Sequence, residues 1–335
     1  MRRPNRRIVM MSGSATLAAL MLPRMSAAET VPAKPEPGAI KLGSSPWIGG
    51  GPWEIAARKG QFKAQGLDDV KIVNFTLDTD MNAAFASGEL QAGVLATHTA
   101  MNFVKAGIAV KIVLLMDIST TADAIISDGS VKSIADLRGK EVAFEEGSTS
   151  DILLNFALAR NGMSIADIKK VPMPAADAGA ALIAGRIPVA VTYEPYLSLA
   201  RAQNPKVQMI YSANASPGLI SDVLAVSADF ADKKPGQVAA LIRAWDAALA
   251  DYKADTTAGR ALIATAVGAK PEELSASFDG LKYYSVAENR AELGGRYLSD
   301  VIPEVAAAAQ VAGLISGKVD MSKSIDTRFV DAKSN

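Results

Sequence analysis

Short apolar runs alternate with amphipathic stretches between residues 39 and 226, and this alternation predicts an α/β fold. The predicted strands are Ile40–Gly43, Val70–Phe75, Gly93–Thr97, Lys111–Met116, Asp123–Ser127, Glu141–Phe144, Lys170–Met173, Val189–Tyr193, Val207–Tyr211 and Val223–Val226. Helices are predicted between them, at Pro52–Lys59, Met81–Ser87, Thr99–Ala106, Thr149–Asn161 and Pro195–Gln203. Such alternation is typical of βαβ units and mostly parallel sheets.

Beyond about Pro235 the pattern becomes helical, and no further strand is predicted. The expected helices of this C-terminal region are Gln237–Ala254, Ala258–Val267, Glu272–Phe278 and Val286–Ile315. The last of them should break or kink at Pro303, because proline lacks the N–H that a helix interior needs.

Two segments share the order helix, glycine, strand. The glycines are Gly88 and Gly185, which lie 97 positions apart, and each should end a helix of small residues. The recurrence is either chance, as any α/β chain can show, or the mark of two similarly built lobes. The second interpretation assigns residues 39–122 and 222–335 to lobe 1 and 123–221 to lobe 2. Segments 116–122 and 217–222 are then hinge candidates, and otherwise surface loops.

The N-terminus predicts export. Residues 1–28 run from basic through apolar to small residues, the order of a secretory signal peptide, with cleavage expected after Ala28. A retained anchor is the alternative, and Arg6-Arg7 leaves open whether the Sec or the twin-arginine route is used. Residues 29–38 are proline-rich and predict a flexible lead. The mature protein is expected in the periplasm.

Composition excludes several function classes. Cleavage would remove five arginines and leave 30 basic against 35 acidic residues, which argues against nucleic acid as a partner. The absence of cysteine excludes thiolate metal sites, iron–sulfur clusters and a cysteine nucleophile. His98 is the one histidine, so no multi-histidine metal site can form. We therefore expect no metal and no cofactor.

Several motifs resemble the nitrate/sulfonate/taurine (pyrimidine-precursor-like) group of ABC-transporter periplasmic solute-binding proteins. They are Leu42-Gly43-Ser44-Ser45-Pro46-Trp47, Ala57-Arg58-Lys59-Gly60-Gln61-Phe62, Phe85-Ala86-Ser87-Gly88-Glu89-Leu90, the segment 133–143, Glu145-Glu146-Gly147-Ser148 and Tyr193-Glu194-Pro195-Tyr196. The resemblance covers most of residues 39–255.

The resemblance implies a two-lobed periplasmic binding protein (type II) with no catalytic residues. Such a protein captures a small polar solute in the inter-lobe cleft and delivers it to an inner-membrane permease with its ATPase. We expect a monomer. The alternatives are an enzyme of the same fold that acts on a small heterocycle, and a sensor that presents its closed form to a membrane receptor. The related pyrimidine synthases use a cysteine-rich motif, which this chain lacks.

Candidate ligand contacts follow from the rule that open α/β sheets bind at the carboxyl ends of their strands. Ser45, Trp47 and Trp53 flank a triple glycine after the first strand, and we expect one tryptophan in the cleft and the other in packing. Gly147, Ser148 and Thr149 open a helix, where free N–H groups attract anions, although one hydroxyl can serve only as a cap. Further candidates at strand ends are Thr97, His98, Thr120 and Tyr193.

Acidic residues accumulate in the same loops: Asp78, Asp80, Asp117, Asp123, Glu145, Glu194 and Asp222. No lysine or arginine is predicted at these strand ends, so a bare anion would face like charges. A zwitterion or a neutral nitrogen compound fits these acidic loops better than a sulfonate does, and a sulfonate is kept as an alternative ligand. Of these acids Asp80, Asp117, Glu194 and Asp222 are taken as ligand contacts, with Glu194 and Asp222 foremost; Asp80 can instead cap a helix.

Overall fold

The computed structural model describes residues 31–274 and 277–332, which fold into two mixed β-sheets flanked by helices. The predicted signal peptide lies outside the described residues. The strands are β1 (Ile40–Ser44), β2 (Val70–Asn74), β3 (Ala92–Ala96), β4 (Val110–Ser119), β5 (Asp123–Ser127), β6 (Glu141–Phe144), β7 (Lys169–Pro172), β8 (Val189–Tyr193), β9 (Gln208–Ser212), β10 (Ser221–Ser227) and β11 (Leu281–Tyr283).

The α-helices follow most strands, as the alternation predicts. They are α1 (Gly51–Arg58), α2 (Gln61–Ala64), α3 (Asp78–Ala86), α4 (Thr97–Lys105), α5 (Thr149–Arg160), α6 (Ala175–Ile183), α7 (Tyr196–Gln203), α8 (Ala228–Lys233), α9 (Pro235–Ala254), α10 (Thr256–Ala266), α11 (Pro271–Leu274), α12 (Val286–Ala291), α13 (Ile302–Val311) and α14 (Arg328–Asp331).

The two sheets have the same strand order. Sheet 1 runs β2-β1-β3-β10-β4, with β11 added beside β4, and sheet 2 runs β7-β6-β8-β5-β9. The segments noted for their helix–glycine–strand order occupy equivalent places, because α3 leads into β3 and α6 leads into β8. Gly88 and Gly185 both have positive φ, of 82° and 67°, and end these helices in a conformation that favours glycine.

One interior strand of each sheet runs against both of its neighbours, and in sheet 1 the edge strand β11 also runs against β4. β10 is antiparallel to β3 and β4, and β5 is antiparallel to β8 and β9, whereas β1, β2 and β3 are mutually parallel, as are β6, β7 and β8. These two strands come directly after the chain passes from one sheet to the other, at residues 120–122 and 213–220. Their first residues therefore lie at the same edge as the carboxyl ends of the parallel strands.

The C-terminal region differs from prediction in two respects. β11 pairs with β4 although no strand was expected there, because a three-residue edge strand leaves too short a periodic signal. The long final helix departs from helical geometry at Gly295, with φ −103° and ψ −117°, and not at Pro303. Pro303 lies in the first turn of α13, where its missing N–H has no intrahelical role.

The core is centred on large aromatic residues behind sheet 1. Trp53 is fully buried, with its ring centroid 5.0 Å from that of Trp245 and 6.1 Å from that of Phe62. α13 packs against α4 of the first sheet's layer and against α5 of the second. Within the described ranges, no helix combines the length and the apolarity that crossing a bilayer requires.

Residues 31–38, which belong to the predicted lead, contain neither helix nor strand. Glu36 accepts hydrogen bonds from the backbone N–H groups of Gly236 (3.2 Å) and Gln237 (3.0 Å) at the start of α9. The side chain of Gln237 in turn donates to the carbonyl of Gly38 at 2.7 Å.

Candidate functional site

A cavity of about 700 Å³, including its open mouth, lies between the two sheets. The residues that line it are Ser45, Trp47, Thr76, Asp78, Met81, Asn82, Val94, Ala96, Thr99, Asp123, Glu145, Ser148, Thr149, Ala175, Tyr193, Ile220 and Asp222. Both sheets contribute walls to it.

The strand directions explain why these residues meet. Ser45 and Glu145 directly follow the carboxyl ends of β1 and β6, and Tyr193 ends β8. Asp123 begins β5 and Asp222 is the second residue of β10, so the two reversed strands bring their amino ends to the same edge. The cavity therefore lies where the carboxyl-end rule for open sheets predicts a ligand site.

Two aromatic rings meet across the cavity. The indole of Trp47, after β1, contacts the ring of Tyr193, at the end of β8, with centroids 5.7 Å apart and planes at 85°. Tyr193 makes a similar edge contact with Tyr196 at 5.7 Å. The contact joins the wall formed by sheet 1 to the wall formed by sheet 2, and both rings line the cavity.

Gly49 lets Trp47 occupy this position. A Cβ at Gly49 would lie 2.1 Å from the indole Nε1 of Trp47 and 2.5 Å from Oδ2 of Asp117, both closer than real side chains approach. Glycine at 49 is thus required for the indole to lie against the buried carboxyl group of Asp117. The adjacent Gly50 is less confined, since its Cβ would meet only the hydroxyl of Ser44, at 3.0 Å.

Sheet 1 places two carboxyl groups side by side. Asp222 of β10 is the register partner of Asp117 of β4, so their side chains share one face of the sheet. Burial raises the pKa of Asp222 to about 7; Asp123 and Asp78 add to the shift, and the indole of Trp47 opposes it. The pKa of Asp117, which is 1% exposed, is raised well above its ordinary value by burial and then by repulsion from Asp222 and Asp123.

Sheet 2 contributes Asp123, which is 6% exposed. Burial raises its pKa to about 7, the hydroxyl of Ser119 lowers it, and the carboxylates of Asp78 and Glu194 raise it further. Its Oδ2 atom has no hydrogen-bond partner within the described structure. The register partner of Asp123 is Tyr193, so an acid and an aromatic ring face the cavity from adjacent strands.

Asp78 and Glu145 complete the acidic lining from opposite walls. The half-buried Asp78 begins α3, and burial, followed by repulsion from Glu145, raises its pKa to about 6. The pKa of Glu145 is also raised, first by burial. In residues 31–274 and 277–332 no three His, Cys, Asp or Glu side chains are grouped closely enough to hold a metal ion.

The loop between β6 and α5 uses its own side chains to satisfy its N–H groups. Ser148 caps α5 by accepting from the N–H of Ser150 at 3.1 Å, and Asp151 accepts from the N–H of Gly147 at 2.9 Å. Glu145 accepts from the N–H of Ala175 at the start of α6, at 3.1 Å. Of the N–H groups around this helix start, those of Gly147 and Ser150 are therefore occupied by side chains of the same loop.

Six of the residues predicted from the sequence come together at the cavity: Ser45, Trp47, Ser148, Thr149, Tyr193 and Asp222. The remaining eight do not line it. Trp53 lies in the core, so Trp47 is the tryptophan in the cleft. Asp80 is exposed on α3, which begins at Asp78; no side chain caps that helix.

Three further predicted contacts lie in sheet 1 and its hinge and do not line the cavity. The hydroxyl of Thr97 bonds to Tyr297 and Ser221, each at 2.7 Å, which turns it away from the cavity. Asp117 lies behind the indole of Trp47. Thr120, in the first crossing between the sheets, donates to the carbonyl of Gly280 at 2.9 Å.

The other three are His98, Gly147 and Glu194. His98 of α4 contacts Gly147 in the loop before α5, and Glu194 lies just before α7. His98 is 3% exposed, and its Nε2 lies 3.3 Å from the carbonyl oxygen of Gly147, so each satisfies the other. Burial lowers the pKa of His98 to about 4. Glu194 accepts from the N–H and the hydroxyl of Ser198, at 3.0 and 2.9 Å.

Sequence reasoning missed much of the apolar and hydroxyl lining. Thr76 follows β2 and could have been found by the same strand-end rule that indicated Ser45, whereas Asn82 lies within α3. Asp78, Asp123 and Glu145 were noted as acids at strand ends but not chosen as contacts. The inward-facing Val94 and Ile220 resemble ordinary core residues in the sequence, and no sequence signal distinguishes them.

Comparisons with known proteins agree with this architecture. A family model described as NMT1/THI5 like matches residues 51–257. A protein of Brucella abortus strain 2308 named as a binding protein is 27% identical over 192 residues, which are 57% of this chain and 56% of that protein. The chain thus spans about half the length of the curated relatives it matches.

Solved structures share the fold over most of the chain. The alkanesulfonate-binding protein SsuA from Xanthomonas axonopodis pv. citri, bound to MOPS, superposes with a TM-score of 0.72 at 17% identity, over 87% of this chain and 99% of that one. The periplasmic nitrate-binding protein NrtA from Synechocystis PCC 6803 gives a TM-score of 0.62 at 15% identity, over 84% and 86%. At such identities the likeness establishes the two-lobed periplasmic binding protein fold.

Proposed function

Because this chain belongs to the NMT1/THI5-like family, we propose that it is the solute-binding component of an ABC importer. It captures a small polar solute between its two lobes and delivers it to an inner-membrane permease with its ATPase. Lobe 1 comprises residues 39–122 and 222–335, and lobe 2 comprises 123–221. The site of action is the periplasm, reached through a signal peptide cleaved after Ala28, and the protein acts as a monomer without catalysing a reaction.

The observation that carries this proposal is the cavity between two sheets of identical strand order. Both sheets line it, and Trp47 and Tyr193 contact each other across it at 5.7 Å. A solute in such a cavity contacts both lobes at once. It therefore stabilises the closed form to the extent that its affinity for that form exceeds its affinity for the open form. The solved neighbours named for sulfonate and nitrate binding support a small polar solute as cargo.

Intrinsic fluorescence offers a direct test with the protein purified after expression of the full chain. The sequence has three tryptophans; Trp47 lines the cavity, and Trp53 and Trp245 are fully buried in the core. A solute that binds in the cleft should change the emission of the wild-type protein. It should leave the emission of Trp47→Phe nearly constant, because the two core indoles do not meet it.

Melting temperatures supply the matched readout, since a ligand at 100 times its dissociation constant adds about 2.7 kcal/mol to the free energy of unfolding. Uptake of the solute by cells should be lost when the gene is deleted and restored by the wild-type copy. Conversion of the bound compound into a product by the pure protein would contradict the proposal. So would a fluorescence response that is unchanged in Trp47→Phe.

A further inference from the structure

The wall of the cavity is rich in carboxyl groups. Asp78, Asp123, Glu145 and Asp222 line it, and Asp117 lies immediately behind Trp47. Over the described part of the chain, the lining contains no lysine, arginine or histidine. The protein therefore supplies no counter-charge for these carboxyl groups, which are the partners that a cationic ligand would need.

Two of these carboxyl groups are buried with an oxygen that no protein group satisfies. Asp123 is 6% exposed and lines the cavity, and its Oδ2 has no hydrogen-bond partner in the described structure; the same holds for Oδ2 of Asp117, at 1% exposure. Buried polar atoms are normally paired, and leaving one unpaired is costly. Because Asp123 faces the cavity, a ligand with an N–H donor can provide the missing bond.

The same loops offer little to an anion. The N–H of Gly147 is taken by Asp151 at 2.9 Å, and the N–H of Ala175 is taken by Glu145 at 3.1 Å. These two N–H groups therefore already bind carboxyl groups of the protein and are not available to a sulfonate or nitrate. An anion in the cavity would meet carboxyl groups on both walls, with no cationic side chain among the lining residues.

The rest of the lining favours an organic ligand over a metal ion. Trp47 and Tyr193 supply aromatic rings that attract cations, and Met81, Val94 and Ile220 supply an apolar wall. Within residues 31–274 and 277–332 the acids are not gathered into a metal-binding group. A cleft with separated carboxyl groups and apolar patches is suited to a small molecule that has both a cationic and a hydrocarbon part.

We propose that the ligand is a small organic cation with N–H donors, such as an alkylammonium, an arylalkylammonium or an amidinium. This inference rests on the proposed function and names its class of cargo. The cationic nitrogen lies between Asp123 of sheet 2 and Asp222 of sheet 1, beside Trp47 and Tyr193. The hydrocarbon part lies against Met81, Val94 and Ile220. A positive charge between the two sheets would draw both walls together.

A head-group series tests the proposal by isothermal titration calorimetry at pH 7.5. The probes are butyl and benzyl compounds, each as the primary amine, the trimethylammonium, the alcohol and the sulfonate. The primary amines should bind, and the trimethylammonium compounds should bind at least about tenfold more weakly because they cannot donate to Asp123. The alcohols and sulfonates should not bind detectably. Sulfonates that bind best would overturn the cationic cargo and leave the importer function standing.

Carboxamide variants provide the matched control. Asp123→Asn and Asp222→Asn should each weaken amine binding at least about tenfold. Asp229→Asn, at an exposed residue of α8 paired with Lys233, removes one charge far from the cavity and should change the affinity less than about twofold. Equal affinity of Asp123→Asn, Asp222→Asn and the wild type for the amines would overturn the assignment of these carboxylates.

If none of the eight probes binds, a bacterial metabolite extract is separated by ion exchange into cationic, neutral and anionic fractions. The thermal shift that each fraction causes in the protein then tests the proposal. Stabilisation by the cationic fraction alone, lost in Asp123→Asn and kept in Asp229→Asn, supports the proposal. Stabilisation by the anionic or neutral fraction alone overturns it while the binding function stands. Stabilisation by no fraction overturns the proposed function and this inference together.

Discussion

Replacement of Asp123 by asparagine should stabilise the ligand-free protein, and increasingly so as the pH rises. The folded-state pKa of Asp123 is raised to about 7, chiefly by burial, from an ordinary value of 3.8. The folded protein thus holds a proton that the unfolded chain releases between these two values. Wild-type stability from this group is fully present below pH 3.8 and is lost as the pH rises through 7.

The magnitude follows from about 1.4 kcal/mol per pKa unit. Ionisation of Asp123 lowers the free energy of unfolding by about 2 kcal/mol at pH 5 and by about 4 kcal/mol at pH 8. Because asparagine does not titrate, the stability difference between Asp123→Asn and the wild type should grow by about 2–3 kcal/mol between pH 5 and pH 8. Removing the charge of Asp123 also removes its repulsion from the carboxylates of Asp78 and Glu194, which is one of the causes of this pKa shift.

Urea unfolding at pH 5, 6, 7 and 8, followed by tryptophan emission and by circular dichroism, measures this difference. Asp229→Asn is the control, since it removes an exposed charge and should stay parallel to the wild type at every pH. A difference between Asp123→Asn and the wild type that is independent of pH would refute the argument. A variant that is less stable than the wild type at pH 8 would show that Asp123 has a counter-charge in the folded protein.

Three further outcomes are expected. The ring of His98, the one histidine of the sequence, should titrate near pH 4 in an NMR experiment on tag-free protein, and a midpoint near 6.5 would show that it is not buried against Gly147. Gly49→Ala should weaken ligand binding about tenfold or more by displacing Trp47, whereas Gly50→Ala should stay within about threefold; equal effects would contradict the packing argument. Glu194→Gln should lower the free energy of unfolding by about 1–2 kcal/mol, measured by urea titration, because its hydrogen bonds to Ser198 become weaker. The ligand affinity of this variant, measured by calorimetry, should change less than about threefold.

The fold was predictable because its signals are local. Apolar runs gave the strands up to β10 within about two residues, and the paired glycines Gly88 and Gly185 indicated two lobes that the shared strand order makes visible. β11 was missed because three residues carry no period. The kink was assigned to Pro303, yet a proline in the first turn of a helix disturbs nothing, and the departure falls at Gly295.

The site was harder to predict because it depends on which way each side chain faces. Trp47 and Trp53 share one loop in the sequence, but only the first lines the cavity, since α1 turns the second into the core. Glu194 and Asp123 are both acids at strand ends; Ser198 satisfies the first, and an oxygen of the second has no partner. The local sequence pattern predicts which residues lie at the binding edge of the sheet. Only the packing of the folded chain determines which of those acids lacks a protein partner and can bind a ligand.

Mass spectrometry of the small molecules retained by the protein tests the central claim most directly. Wild-type protein, Asp123→Asn and Asp229→Asn are incubated with the same bacterial extract, passed rapidly through a desalting column and denatured to release their ligands. The account predicts one organic cation that is enriched on the wild type and on Asp229→Asn and is absent from Asp123→Asn. Retention of an anion, equally by all three proteins, would contradict it.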